Sequence, residues 1–459
     1  MRPSGKLSAA IEILNDFEAR RVPLKTAIAD WSRNNRYAGA KDRAWISGLC
    51  LDVLRKRHSL AAMMRSDHSR ALALGAIRFL WKIDLDELRD IAKEEPHGPG
   101  ALTEEEQDLL SGLPLIPAKA GIQKMGAMDS RFHENKREDG SEPYVIGDFP
   151  EWLTPQVERV FGDNAAEVMA LFAERADVDL RVNTLKTTPE KAIGAVKSVK
   201  GQAIPILNNA LRIPAPDPSQ KAPSVTIIPA FNKGWVEVQD LGSQIAAAAA
   251  GDVKGAQVLD FCAGGGGKTL ALAALMENTG QLYAYDIDAR RLQPIYARAK
   301  RAGVRNLQVR SPAGGEGLDD LAGKMDVVFI DAPCTGAGTW RRRPDTKWRL
   351  TEKQLQARIT EQDKVLDNAA QYVKPGGRMI YATCSFLMEE NEDRLDTFFS
   401  QHKDFSYFPV FAALDASGLI TEQGVSMISP CITPEGALRL TPDRVRADGF
   451  FVAVLERQG

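Results

Sequence analysis

From Leu7 to about Leu110 apolar residues recur at steps of three and four, as in Leu72, Ala76 and Leu80 beside Ile77 and Trp81, and prolines are nearly absent before Pro96. That period puts the apolar side chains on one stripe of a helix, so the spacing predicts an all-helical N-terminal domain. Within it, KDRAWISGLCLDVLRKRHSL sets Leu49, Val53 and Leu54 on one face with Arg55, Lys56 and Arg57 just beyond. These cations read more simply as a solvated helix end than as a contact to RNA.

From Pro114 to Pro143 the periodicity disappears and Lys, Glu, Asp, Gly and Ser accumulate, the composition of a disordered linker. Order returns at Phe149. The run DVDLRVNTLKTTPEKAIGAVKSVKGQAIPILNNALRI reads as strand, helix and strand, with Thr188 as helix N-cap and Pro189 in the first turn, and predicts a small α+β module. A proline-broken loop and a hairpin ending in GWVEVQDLGSQ follow, then an alanine-rich helix around Ala246 to Ala250. After Gly255 short apolar strands alternate with helices: AQVLDF, a glycine loop, QLYAYDID, LQVR, MDVVFIDAP and RMIYATCS are the strands. That alternation specifies an α/β fold with a doubly wound parallel sheet. The expected division is 1–113 helical, 114–143 linker, 144–234 small α+β module and 235–459 α/β domain.

Composition narrows the classes. A chain of 459 residues, 44% hydrophobic and 26% charged, is globular and long enough for several domains. No run approaches the roughly 18 to 20 apolar residues of a membrane helix, and MRPSGKLSAAIEIL lacks the apolar segment of a signal peptide, so a cytoplasmic protein without a membrane partner is expected. Cys50, Cys262, Cys334, Cys384 and Cys431 form neither a disulfide framework nor a pair at zinc-site spacing, so no metal is expected. A net charge of -2 excludes coating of nucleic acid by bulk charge but leaves local basic patches open. Nothing in the sequence demands more than a monomer.

The stretch DFCAGGGGKT, Asp260 to Thr269, resembles a nucleotide-triphosphate loop, but Cys262 stands where that loop needs its first glycine. A nucleoside site fits better: Gly264, Gly265, Gly266 and Gly267 let the backbone turn tightly and approach a ligand. About twenty residues on, Asp286 ends the next strand, where a carboxylate accepts ribose hydroxyls. NAD and S-adenosylmethionine satisfy this pattern equally.

DAPCTGAG and YATCS each put a cysteine, Cys334 and Cys384, just beyond the carboxyl end of an apolar strand, where open α/β sheets build their sites. The two are therefore expected in one crevice, with Asp331 beside them. Taken together, DFCAGGGGKT, YAYDID, DAPCTGAGTWRRRPDTKW, VKPGG, YATCSFLMEEN and DGFFVA resemble, in order, the motifs of the RsmB/Nop2/NSUN family of RNA 5-methylcytosine methyltransferases. LRVNTLK and the helical region resemble the bacterial 16S ribosomal branch, whose N-terminal domain is similar to NusB and whose middle module is RNA-recognition-like. The resemblance implies a Rossmann-like catalytic domain and S-adenosylmethionine as cofactor. It places the cofactor on Cys262, Ala263, Gly264, Gly265, Gly266, Gly267, Lys268, Asp286 and Asp331.

It further implies attack by Cys384, product release assisted by Cys334, and Asp331 and Lys268 beside the target base. DNA cytosine methyltransferases attack from the cysteine of the PC motif, which would exchange the two roles. The chemistry needs such groups: carbon 5 of cytosine becomes nucleophilic only after a thiolate adds at carbon 6, and a second group then helps release the product.

Two departures stand out. Gly264 and Gly265 replace the family's alanine and proline, and Ala313 stands near the position of an aspartate aimed at the adenine, a place that Asp319 or Asp320 would have to fill. For the RNA, Arg341, Arg342, Arg343 and Lys347 are expected on phosphates and Trp348 on a base. The expected substrate is 16S ribosomal RNA, with transfer RNA as the alternative. The missing aspartate also leaves open a non-catalytic RNA-binding assembly factor.

Overall fold

The computed structural model describes residues 1–112, 142–216, 225–312 and 317–459. The segment read as a linker lies outside the described residues up to 141, as does Ala313; at its far end Pro143 already opens a short helix, Pro143–Ile146. Two units divide the chain. One holds the described residues up to Arg175 together with Trp340–Arg349, and the other holds Ala176–Ala215 and, from residue 225 on, everything except Trp340–Arg349.

The first unit is helical. Its helices include Pro3–Arg20, Leu24–Asn34, Ala40–Arg55, Arg57–Met64, Leu85–Lys93 and Glu104–Ser111, which bury one side as the three-and-four spacing predicts, and Ser69–Gly75, which is buried almost all round. Leu7, Ala10, Ile13, Leu14 and Phe17 of the first helix pack into one core with Leu49, Val53, Leu72 and Ile77. Thr103 caps the last of these helices, accepting from Glu106 N–H at 3.1 Å while Glu106 reaches back. Arg55 is not solvated. It is buried and ion-paired to Asp52 at 2.7 Å, and Asp52 also accepts from Trp81 Nε1 at 2.8 Å and from Arg175. A buried carboxylate is tolerated because it is satisfied on both oxygens.

The second unit carries two sheets. β1 (Val178–Val182), β2 (Gln202–Ala203), β3 (Ala210–Ile213) and β4 (Val236–Val238) form an antiparallel sheet in the order β2-β3-β1-β4. Thr188 caps the helix Pro189–Val196, with Pro189 in its first turn. Among the described residues the expected hairpin is not seen: β4 pairs with β1, from Leu180↔Val238 to Val182↔Val236, rather than with β3. The turn chemistry of GWVEVQD carries no information about which distant strand offers the free edge.

The larger sheet contains β5 (Gln257–Asp260), β6 (Gln281–Tyr285), β7 (Leu307–Arg310), β8 (Met325–Asp331), β9 (Val373–Thr383), β10 (Phe405–Tyr407), β11 (Leu438–Leu440) and β12 (Phe450–Arg457). Its order is β10-β12-β9-β8-β5-β6-β7, with β11 beside β12. The pairs among β5 to β9 are parallel, and β12 closes antiparallel on β9. Val258, Leu259, Val327, Val328 and Phe329 are all buried, the unbroken apolar pattern of strands covered on both faces. The chain winds from β5 outward to β7, then crosses back to β8, so the switch in direction falls between β5 and β8. Ligand sites form at that point, beyond the carboxyl ends of the strands.

Candidate active site

Three adjacent strand ends build the site. β5 stops at Asp260, β8 at Asp331 and β9 at Thr383, and Asp331 stands opposite Ala382 in the β8–β9 pairing. Cys334, three residues past Asp331, and Cys384, two past Ala382, therefore emerge side by side, with their sulfur atoms 3.4 Å apart. The hydrogen bond to Cys384 and then burial hold the Cys334 thiol well above its ordinary pKa, so Cys334 is the partner that keeps the proton.

Lys268, the second residue of the helix Gly267–Leu275, reaches Asp331 with Nζ 2.7 Å from Oδ2. Burial alone would lower its pKa, but the charge of the Asp331 carboxylate and its hydrogen bond, with smaller contributions from neighbouring groups, outweigh burial and raise it. The site thus holds a fixed cation among two acids and two thiols. Lys268 also lies 5.3 Å from the centre of the Phe450 ring, which brings the DGFFVA motif into the site.

The sequence reading missed the residues that hold the two cysteines in place. Glu390 is buried and accepts from Thr335 N–H at 2.7 Å, Thr335 Oγ1 at 2.6 Å and Gln362 Nε2 at 3.3 Å, fixing the turn that follows Cys334. Asn391 does the same for Cys384: its Oδ1 accepts from Thr383 Oγ1 at 2.6 Å and its Nδ2 donates to the Ser385 carbonyl at 3.1 Å. Their signal was present in YATCSFLMEEN, where they stand just after the apolar run Phe386–Met388 and Glu389. Glu390→Ala is expected to lower unfolding stability by about 3 kcal/mol, because buried donors lose their acceptor. Urea unfolding measures this, and a variant as stable as the parent would show that the turn is held otherwise.

On the nucleoside side, Gly264 and Gly266 adopt φ of 50° and 82°, and a Cβ on Gly266 would lie 2.5 Å from Ile295 Cγ1. Gly264 N–H donates to Asp286 Oδ2 at 3.1 Å, so the loop and the strand-end acid lock together. Arg291 pairs with Asp286 at 3.0 Å and Arg298 donates to the Gly265 carbonyl at 2.7 Å. These two arginines were also missed, although their spacing of seven puts them on one helix face. Asp319 and Asp320 open a short turn, and Asp320 pairs with Arg310 at 2.5 Å. Burial, with smaller contributions from the nearby carboxylates, holds the Cys262 thiol well above its ordinary pKa, so it serves as part of the loop wall rather than as a nucleophile.

Asp260 Oδ2 accepts from Thr269 Oγ1 at 2.6 Å, while Oδ1 is buried without a partner among the described residues. Burial raises this carboxyl from 3.8 to about 7. A folded pKa above the unfolded one means stability is fully present below pH ~4 and is lost as the pH rises through about 7, by about 4 kcal/mol. Asp260→Asn keeps the bond from Thr269 and cannot ionise. It is expected to remove this loss, so that urea midpoints of the two proteins diverge between pH 4 and 7 with the variant the more stable at pH 8; parallel curves would contradict the assignment.

The basic segment after Cys334 is placed differently from expectation. Trp340–Arg349 belongs to the helical unit. Arg341 and Lys347 are buried there, and Lys347 donates to the carbonyls of Arg55 and Asp148. Burial lowers its ammonium to about 7. Trp348 donates from Nε1 to the Leu54 carbonyl at 2.5 Å and packs against His58. Lys347 and Trp348 are structural in this arrangement, because their polar groups are already spent on backbone carbonyls, and Arg341 donates from Nη2 to the Arg175 carbonyl at 3.2 Å. Arg343 is exposed and Arg342 half-buried.

Residues 250–456 match the family described as 16S rRNA methyltransferase RsmB/F. Over that span the chain is similar to the RsmB/F methyltransferases. The likeness extends beyond it. A Synechocystis protein described as a probable ribosomal RNA small subunit methyltransferase B is 27% identical over 464 residues, covering 98% of each chain. The ribosomal RNA small subunit methyltransferase B of Erwinia tasmaniensis is 28% identical over 428 residues, covering 92% of each. Among solved structures, that of PH0851 superposes with a TM-score of 0.68 at 25% identity, covering 100% of this chain and 99% of its own. NSun6 from Pyrococcus horikoshii, solved with SFG, shares the fold with a TM-score of 0.57 at 23% identity over 68% of this chain and all of its own.

The match implies S-adenosylmethionine as the cofactor of this domain, and the residues present fit it. Gly267 has open space where a Cβ would stand, at the start of a helix whose N–H groups favour a carboxylate, and Asp260 offers a buried acceptor without a partner. No helix among the described residues is long and apolar enough to cross a membrane.

Proposed function

We propose that this chain is an RNA cytosine-C5 methyltransferase acting on 16S ribosomal RNA in the cytoplasm, as a monomer. The observation that supports it most is the pair of sulfur atoms 3.4 Å apart beside the Lys268–Asp331 ion pair. Cys384 adds through sulfur to carbon 6 of the cytosine, and the electron pair of the 5,6 double bond becomes available at carbon 5. Lys268 stays cationic and offsets the charge of the Cys384 thiolate before attack. Asp331 holds the ammonium and lies within reach of the base, where its carboxyl can hydrogen-bond the ring. S-adenosylmethionine supplies, when bound, a methyl group on a sulfonium sulfur. The carbon 5 proton then passes to solvent water, its electron pair re-forms the 5,6 double bond as the bond from carbon 6 to Cys384 breaks, and Cys334 eases departure of the thiolate by donating its S–H to it.

Cytosine in a duplex hides carbon 6 within the stack, so the substrate base is unpaired or flipped out. Arg343 is the exposed arginine of the basic segment and the one placed to meet a phosphate. Bisulfite sequencing of total RNA from cells with and without this chain tests the reading. Loss of one cytosine mark in 16S RNA supports it; a lost mark in transfer RNA moves the substrate, and no lost mark anywhere removes the reaction.

A further inference from the structure

Four consecutive glycines, Gly264 to Gly267, form the loop beyond β5, and Gly265 stands where the resemblance places a proline. A proline fixes φ, whereas glycine loses more conformational freedom on ordering than any other residue. A loop of this composition keeps one conformation only where other groups hold it. Backbone bonds supply part of the hold: Ala263 N–H donates to the Tyr285 carbonyl at 2.9 Å, and Gly266 N–H to the Ala263 carbonyl at 2.9 Å. Gly264 N–H is tied to Asp286.

The carbonyl of Gly265 is held from another direction. The helix Ala289–Ala302 turns two side chains toward the loop, three residues apart and so on one face. Ile295 leaves no room for a Cβ on Gly266, and Arg298 Nη1 donates to the Gly265 carbonyl at 2.7 Å. Arg298 is itself oriented. Its Nη2 lies 3.4 Å from Oε2 of Glu237, a buried residue of β4 in the smaller sheet, and the other oxygen of Glu237 accepts from Arg301, about one turn further along the same helix. A buried carboxylate bonded to two guanidinium groups has little freedom to turn, so Glu237 fixes the fork of Arg298.

We propose that Arg298, braced by Glu237, is a positioning residue for S-adenosylmethionine: it holds the Gly265 carbonyl, and with it the glycine loop, in the conformation that receives the cofactor. The brace does for this loop what a proline ring does by fixing φ. The inference rests on the cofactor alone and not on the base or the RNA that is modified.

Titration calorimetry of S-adenosylmethionine on the full chain tests it, with hydrogen exchange of the unliganded protein over residues 262–268 as a second readout. Arg298→Leu is expected to weaken binding by about tenfold or more, because a loop that is ordered a tenth of the time binds with a tenth of the affinity, and to speed exchange in that segment. Glu237→Gln is expected to act in the same direction with a smaller effect. The double variant is expected to bind no more weakly than Arg298→Leu alone, since Glu237 acts through Arg298.

Gly265→Ala in the Arg298→Leu background separates a brace from a direct contact. Gly265, unlike Gly264 and Gly266, does not adopt a positive φ, and a Cβ there would stand in ordinary contact, 3.7 Å from Arg298 Nη1. Alanine stiffens the loop without Arg298, so it is expected to recover about two- to fivefold of the lost affinity. No recovery would mean that Arg298 touches the cofactor itself, which overturns the proposal. Where the thermal transition shows that Arg298→Leu does not fold, Glu237→Gln with and without Gly265→Ala carries the same comparison. Equal binding by the parent and Arg298→Leu overturns the brace, and a parent that binds no S-adenosylmethionine overturns the cofactor with it.

Discussion

Cys384→Ala is expected to lower single-turnover methyl transfer by a factor of about 10⁴ or more, since loss of a nucleophile removes the whole covalent route rather than one contact to the transition state. Cys334→Ala is expected to behave differently. Its partner sulfur lies 3.4 Å away and it is the member of the pair that retains the proton, so its loss should slow breakdown of the adduct more than its formation. Protein should then accumulate bound to RNA in a band that survives denaturing electrophoresis, absent from Cys384→Ala and from the double variant. A covalent band with Cys384→Ala instead would exchange the two roles, as in the DNA enzymes. No band with either, together with undiminished turnover, would end the covalent reading.

Asp331→Ala is expected to cost both stability and rate. Lys268 is nearly buried, and removing its partner leaves an ammonium in a poorly solvated site, a loss of about 3–5 kcal/mol for a broken buried pair. Without the carboxylate, burial is no longer outweighed, and the lysine deprotonates more easily beside Cys384. The rate is expected to fall by about 10²- to 10³-fold, as for other preorganised electrostatic groups. Adding Lys268→Met removes the stranded charge, so the double variant should regain much of the stability and none of the rate. Urea unfolding and single-turnover assays on the four proteins form a complete cycle. A single variant as stable as the parent would mean that solvent already screens the pair.

The placing of the candidate site residues was legible because it is written in contiguous motifs. Glycines at 264 and 266, an acid at 286 and cysteines just past two apolar strands are local facts, and parallel strands bring their carboxyl ends to one edge wherever the helices between them are long enough. Glu390, Asn391, Arg291 and Arg298 were not legible in the same way. Each acts by reaching a backbone or side-chain group distant in sequence, from Arg298 to Gly265 or from Glu390 to Thr335. A charged residue in a motif reads as chemistry or as surface until its partner is known.

The basic segment shows the limit most clearly. TWRRRPDTKWRL carries the composition of an RNA-binding loop, yet Lys347 and Arg341 are buried in the helical unit and Trp348 is bonded to the Leu54 carbonyl. Composition gives the charge of a side chain but not the carbonyls that compete for it. The hairpin expected at GWVEVQD is not seen among the described residues for the same reason, since β4 found its partner in β1.

By itself, then, the amino-acid order determined the periodicities that make helices and buried strands, the glycine turn and the placing of both cysteines at strand ends. These depend on residues close in sequence and on the two repeat lengths of regular backbone. Tertiary structure alone decided that the two sulfur atoms touch, that Lys268 pairs with Asp331 and that Lys347 is inside. Distance and desolvation set the strength of each such contact, and both are fixed only when distant segments pack together.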